Sequence, residues 1–297
     1  MNNAKKLTLK FRAKTFYFAS VFLPNKIRKD IENLYIFCRY VDDIGDGGNF
    51  TKKNAIKKLN QIKSQILIKK SDNLIISEFI SLQIKYKINA SIPIDLINGV
   101  KSDLNNVDFK NNKELLKYCY QVAGTVGYMF CKIIKVNNTK LIFRGVQLGI
   151  AMQRTNISRD IREDLESNRM YLPREARQYR GEKKKIIHNN KLKKTISEDL
   201  LSFLKQTEKF YQNSWIGIRK LPFKYAVPVS IAAELYQRIG NKIIKNNCNI
   251  WDRRIHLNKF EKVKYSFFAL YKLFFLKTKL ESKIDIECKC IIDNIKG

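Results

Sequence analysis

Histidine is almost missing from this chain, with only His188 and His256 in 297 residues. Imidazole-rich zinc sites and histidine-centred proton relays have little to build on. Cysteine is present but poorly arranged for a metal. Cys38, Cys119, Cys131, Cys248, Cys288 and Cys290 include no Cys-x-x-Cys pair, and only the last two are close. They read as reduced, buried thiols of a cytosolic protein. Five prolines and 12 glycines leave little punctuation for short strands and tight turns. No apolar run approaches the roughly 18–20 residues that span a bilayer. The best candidate, residues 266–276, is cut by Lys272. The first residues are cationic, but Lys10, Arg12 and Lys14 interrupt the next stretch and no small-residue cleavage site appears, so no signal peptide is expected.

Negative charge is also scarce. The chain has 27 Asp and Glu against 58 Lys and Arg, a formal net charge of +31. The lysines are spread along the chain rather than gathered into an arm or stripe, so no nucleic-acid partner is expected. An abundance of Ile, Asn and Lys together fits biased codon usage. A basic surface of this kind favours anionic lipid headgroups or diphosphates through long-range attraction. The 18 Phe and 14 Tyr that accompany the charge exclude a disordered polyelectrolyte.

Against this background the acids are concentrated in two places. The first cluster is Asp42-Asp43-Ile44-Gly45-Asp46, and the second runs from Asn156 through Arg159, Asp160 and Glu163 to Asp164. In both, the key oxygens recur at i and i+4, on one helical face and one turn apart. Like charges at that spacing weaken an isolated helix, and a hard divalent cation between them reverses the sign. Magnesium is typically held by one or two carboxylates plus phosphate oxygens and water. Two such faces opposed across a helix bundle would hold a diphosphate between them. Tyr35, Arg39, Asp42 and Asp46 share one stripe, and Gln153, Asn156, Asp160 and Asp164 share another with Arg159 beside it. A plain surface helix with an Arg39–Asp43 ion pair accounts for the first stripe at a few tenths of a kcal/mol. It does not account for the second.

The hydrophobic periodicity predicts an all-α chain in one domain, 1–297. Helices are expected over 25–46, ending at Gly47-Gly48, then 55–68, 73–86, and 95–106 begun near Pro93. They continue over 113–136, where Gly124 and Gly127 let a backbone or ligand come close, and over 141–166. Pro173 stops any helix running into it. Residues 181–194 read as a solvated connection, and helices over 196–218, 226–245 and 259–276 complete the bundle.

The acid motifs, Asn156-x-x-Arg159-Asp160-x-x-x-Asp164 with its Tyr171-Leu172-Pro173 tail, and the segment from Tyr118 through Val122-Ala123-Gly124-Thr125-Val126-Gly127 together resemble the squalene/phytoene synthase family. Lys14-Thr15-Phe16-Tyr17 is similar to its Ser-Lys-Ser-Phe entry motif, with Ala13 and Thr15 in place of the serines. Tyr236 and the Arg253-Arg254 pair match its C-terminal contacts. The resemblance covers roughly residues 12–265, and the 118–127 segment looks most like the phytoene and dehydrosqualene synthases.

This resemblance implies an isoprenoid synthase bundle around a central substrate cavity. It implies Mg²⁺ or Mn²⁺ on Asp42, Asp46, Asn156, Asp160 and Asp164. Two allylic diphosphates would condense through a cyclopropylcarbinyl diphosphate to a central triene, phytoene from C20 or dehydrosqualene from C15. Lys14, Thr15, Arg39, Gln153, Asn156, Arg159, Arg253 and Arg254 would bind substrate. Tyr35, Tyr118 and Tyr236 would steady cations or hold diphosphate, and Val122, Ala123, Val126 and Gly127 would line the tunnel or simply pack helices. No NADPH is expected for phytoene, whereas squalene would need it. Arg154 stands where the family carries Leu. A cytoplasmic enzyme is expected, with peripheral contact to an anionic membrane through the Phe-rich stretch at Phe267, Phe268, Phe274 and Phe275. The rival readings are the same fold making presqualene diphosphate or squalene, a silent partner that binds prenyl diphosphate, and a basic nucleic-acid or lipid-surface protein.

Overall fold

The computed structural model describes residues 18–46, 50–275, 280 and 282–288. Lys14 and Thr15 of the entry motif and the Gly47-Gly48 helix stop lie outside the described residues. Among those described, every regular element is helical, and one isolated bridge joins Asp108 to Met170.

The helices track the hydrophobic pattern closely. Helix α1 spans Asn25–Gly45, α2 Lys52–Ile68 and α3 Leu74–Lys85. Asparagine, abundant in this chain, starts several of them. The side-chain oxygens of Asn73, Asn111, Asn138 and Asn189 accept from backbone N–H groups that the first turn leaves unpaired.

Four expectations need correction. Helix α4 covers Ser91–Ser102, one turn earlier than 95–106. Pro93 sits in its first turn, where the missing N–H costs nothing, and the Asn89 side chain accepts from Ser91 N ahead of it. The long helix over 113–136 is three pieces in series: α5 at Asn112–Cys119, a π-turn at Tyr120–Gly124 and α6 at Thr125–Ile133. The helix over 141–166 is broken at Asp160, giving α7 at Thr139–Arg159 and α8 at Ile161–Glu166. The stretch 181–194 is not simply solvated. It forms the short α9, Lys183–Ile187, and Lys183 is buried, its Nζ donating to Asn106 Oδ1 and to the carbonyls of Val107 and Asn168.

Helix α10 spans Asn190–Ile218, α11 Phe223–Lys245, α12 Lys259–Phe275 and α13 Ser282–Glu287. Helix α7 is central, packing on α10, α6, the π-turn and α11. Its approach to α6 depends on missing side chains. A Cβ on Gly127 would lie 2.3 Å from the Gly145 carbonyl oxygen, and one on Gly149 would lie 2.2 Å from that of Ala123. The close approach foreseen at Gly127 is therefore that of a backbone. The core includes Trp215 and Tyr211 on α10, and Phe37 of α1 stacks on Phe79 of α3 with ring centroids 3.7 Å apart. Cys38, Cys119, Cys131 and Cys248 are free and buried, Cys288 is buried, and His188 and His256 are exposed. Among the described residues, no helix is long and apolar enough to cross a membrane.

Candidate active site

The C-terminal ends of α1, α4 and α7 meet at one end of a cavity of about 990 Å³. Helix α1 contributes Tyr35, Arg39, Asp42 and Asp46, and α7 contributes Gln153, Asn156 and Arg159. The break at Asp160 (φ −104°, ψ 12°) re-aims the chain before α8 supplies Asp164. Gly45 lets α4 come close, because a Cβ there would meet Val100 Cγ1 at 2.3 Å. That approach brings Asp103, one residue past α4, to the cavity wall beside Arg169, Tyr171, Tyr236 and Arg254.

The two acid faces line one cavity, and Asp103 links them electrostatically. Burial pushes the Asp42 carboxyl up to about 7 against the pull of Arg39, and Asp46, Asp103 and Asp43 add repulsion. Burial likewise pushes Asp164 up to about 7, with Asp160, Asp103 and Glu163 raising it and Arg169 lowering it. Asp103 is therefore felt by both motifs. Burial carries it to about 6, although it accepts from the Tyr171 hydroxyl at 2.8 Å and the Tyr118 hydroxyl at 2.9 Å. For Asp160, burial raises the carboxyl, but two arginines outweigh it and hold it below the usual range. Arg159 donates to its oxygens at 2.7 and 2.6 Å, and Arg254 at 2.8 and 2.9 Å. Three carboxylates driven toward neutrality within one cavity form a site in want of positive charge.

The donor set fits a hard cation. Asn156 Oδ1 is buried without a hydrogen-bond partner, an acceptor left free beside two carboxylates. Among the described residues, no three His, Cys, Asp or Glu side chains close into a protein-only metal cage. Magnesium does not require one, since it is commonly bound by one or two carboxylates with substrate phosphate and water. Arg39 pairs with Asp43 at 2.5 Å and lies 4.0 Å from Asp46, and its buried Nε has no partner. The ion pair foreseen as an alternative to the site thus coexists with it.

The cavity also receives Val122, Ala123, Val126 and Gly127. Beyond them it is walled by Phe130, Ile134, Leu141, Leu148, Ile218 and Leu221. One end can bind anions through metal and arginine, and the other can hold long apolar chains away from water. Arg253 is exposed and does not line the cavity, unlike Arg254. Tyr118 points its hydroxyl at Asp103, and burial pushes Tyr236 up to about 12. Sequence reasoning missed Asp103 and Arg169. Neither sits at helical spacing from a motif, so only the scarcity of acids could have flagged Asp103. Arg154 turns away from the site. It is buried with its guanidinium 3.9 Å from the Phe203 ring centroid and donates to Thr207 Oγ1 at 3.0 Å. It packs α7 against α10.

The sequence profile of the squalene/phytoene synthase family matches residues 9–261. The chain is 27% identical to the 15-cis-phytoene synthase of Enterobacter agglomerans over 82% of its own length and 85% of the relative's. It is 28% identical to the phytoene synthase of Pseudescherichia vulneris, covering 84% and 85%. A crystal structure of a dehydrosqualene synthase in complex with ligand superposes with a TM-score of 0.77 at 25% identity, covering 89% of this chain and 93% of that one.

Proposed function

The chain belongs to the squalene/phytoene synthase family, and on that premise we propose that it is a prenyltransferase that joins two C20 allylic diphosphates head to head into phytoene. The whole chain acts as one catalytic domain. The observation that carries the reading is one cavity with two acid faces and arginines at one end and an apolar tunnel at the other. The phytoene relatives at 27–28% identity favour the C20 substrate. The dehydrosqualene synthase likeness keeps the C15 reaction as the second reading.

Magnesium or manganese, when bound, supplies the concentrated positive charge that draws electrons from a departing diphosphate. Asp42, Asp46, Asn156, Asp160 and Asp164 would hold it. This chain's residues do the rest. Arg39, Arg159, Arg169 and Arg254 complement charge that grows on the leaving group in the transition state. Gln153 adds an amide contact to the diphosphate end. The apolar walls exclude water from the allylic cation, while the rings of Tyr35 and Tyr236 offer their negative faces to it. The second substrate's double bond attacks that cation, and loss of one proton from the adduct closes the cyclopropane ring of the cyclopropylcarbinyl diphosphate. Loss of the second diphosphate, rearrangement and loss of one proton give the triene. The released diphosphate is the base, since no histidine occurs in either motif. No hydride is consumed, so NADPH is not required.

Purified protein given C20 diphosphate and Mg²⁺ should release two diphosphates per product. Asp42→Asn or Asp160→Asn, each removing one anionic ligand, should lower that rate by roughly 100-fold or more. Unchanged release in both variants would refute the assignment of these acids.

The product is a hydrocarbon, and we read α12 as the surface that meets the membrane that receives it. Phe260, Phe267, Tyr271, Phe274 and Phe275 are exposed along it. Phe268 takes another role, with the Arg238 guanidinium 4.6 Å from its ring centroid.

A further inference from the structure

Helix α13 lies beyond the matched family span of residues 9–261, yet its Asp285 reaches the helices that wall the cavity. One carboxylate oxygen accepts from Arg144 Nη1 at 2.5 Å, Gln147 Nε2 at 2.9 Å and Asn213 Nδ2 at 3.0 Å. The other accepts from Arg144 Nη2 at 2.8 Å. These donors sit on α7 and α10. Burial raises the Asp285 carboxyl, but the donors more than compensate and it stays below its ordinary range. A fourfold-bonded carboxylate on a short terminal helix does more than surface ion pairs do.

Arg144 itself lines the cavity, among apolar neighbours such as Leu141 and Ile218. It precedes Asn156 by twelve residues on one helix, so it lies ~18 Å from the diphosphate end. At roughly 1.2 Å per main-chain bond, an extended C15 prenyl chain reaches about 14 Å and a C20 chain about 19 Å. Only the longer substrate brings its last isoprene unit alongside Arg144. An unpaired guanidinium there would face apolar chain instead of water, at high cost.

We infer that Asp285 is a specificity-determining residue, which clamps the Arg144 guanidinium into the seam between α7 and α10 and so keeps the end of the tunnel apolar for the C20 chain. The inference rests on the prenyltransferase reading above. It makes the C-terminal helix part of substrate choice rather than an appendage.

The test measures kcat/KM for C20 and C15 diphosphates separately in the wild type, Asp285→Ala, and the double variant Arg144→Leu with Asp285→Ala. Asp285→Ala should lower the C20 value roughly tenfold or more, chiefly through KM, and leave C15 within about twofold. The double variant, with no charge left to hide, should recover most of the C20 value. A merely structural clasp predicts equal losses on both substrates and no recovery, and that result overturns the inference. An active wild type whose C20 to C15 ratio is unmoved by Asp285→Ala overturns it as well, while leaving the activity standing. A wild type that consumes neither substrate overturns the activity, and the inference falls with it.

Discussion

Asp103 shows what a single residue contributes when it is buried beside other acids. It lies outside both motifs, accepts from two tyrosines, and is repelled by Asp46. Its folded-state carboxyl titrates at about 6, above the ordinary 3.8. The fold therefore prefers the protonated form. That contribution is complete below the unfolded value and is lost as pH rises through about 6. In metal-free protein, Asp103→Asn should remove this pH dependence. Urea unfolding at pH 4.5 and 8 should show the wild type losing up to about 2 kcal/mol more stability than the variant across that window. Asp103 keeps some exposure to the cavity, which makes that figure an upper bound. Parallel pH slopes would contradict the assignment. At this scale the motif residues were legible, because Asp42, Asp46, Asn156, Asp160 and Asp164 announce themselves by helical spacing. Asp103 and Arg169 were not, because they are brought to the cavity by tertiary packing. Arg154 had no reading from sequence, since stacking on Phe203 requires knowing that α10 lies across it.

At the scale of elements, the apolar periodicity placed most helices to within a turn. It failed where a local geometry overrides the period. The π-turn at Tyr120–Gly124 and the break at Asp160 leave the hydrophobic pattern continuous while the backbone changes course. Both fall at the site, where such irregularities re-aim side chains. The glycines between α6 and α7 offer a sharper test. Replacing a helical glycine by alanine ordinarily stabilises by up to about 1 kcal/mol. Gly240→Ala should do so, because its Cβ would make an ordinary 3.4 Å contact with Leu204. Gly127→Ala should instead destabilise by about 2 kcal/mol, because its Cβ would meet a backbone oxygen that cannot step aside. Thermal or urea unfolding of the two variants checks the opposite signs, and a stabilised Gly127→Ala would contradict the close packing of α6 on α7.

The whole molecule couples a strongly basic surface to a cavity lined with acids. The charge of +31 attracts both anionic substrates and anionic lipid. With the exposed aromatic stripe of α12, it predicts sedimentation with anionic liposomes at low salt and release at high salt. Replacing Phe267 and Phe274 by Ser should weaken the binding by roughly 100-fold or more, at about 1.5–3 kcal/mol per lost aromatic insertion. Failure to sediment at low salt would rule out the membrane role of α12. The all-α bundle was readable from the hydrophobic periodicity, and the central cavity from the family resemblance that the paired motifs carry. The length of chain that the cavity accepts was not, because tunnel depth is set by which helices cross it and by what Asp285 does at its far end.

The central claim is head-to-head condensation without a reductant. Mass analysis of the hexane extract after incubation with Mg²⁺ and C20 diphosphate, in the absence of NADPH, tests it most directly. A C40 triene is expected from the C20 substrate. A C30 triene formed from C15 diphosphate alone would keep the mechanism and move the substrate. No condensed hydrocarbon from either substrate, with both diphosphates left intact, would contradict the claim.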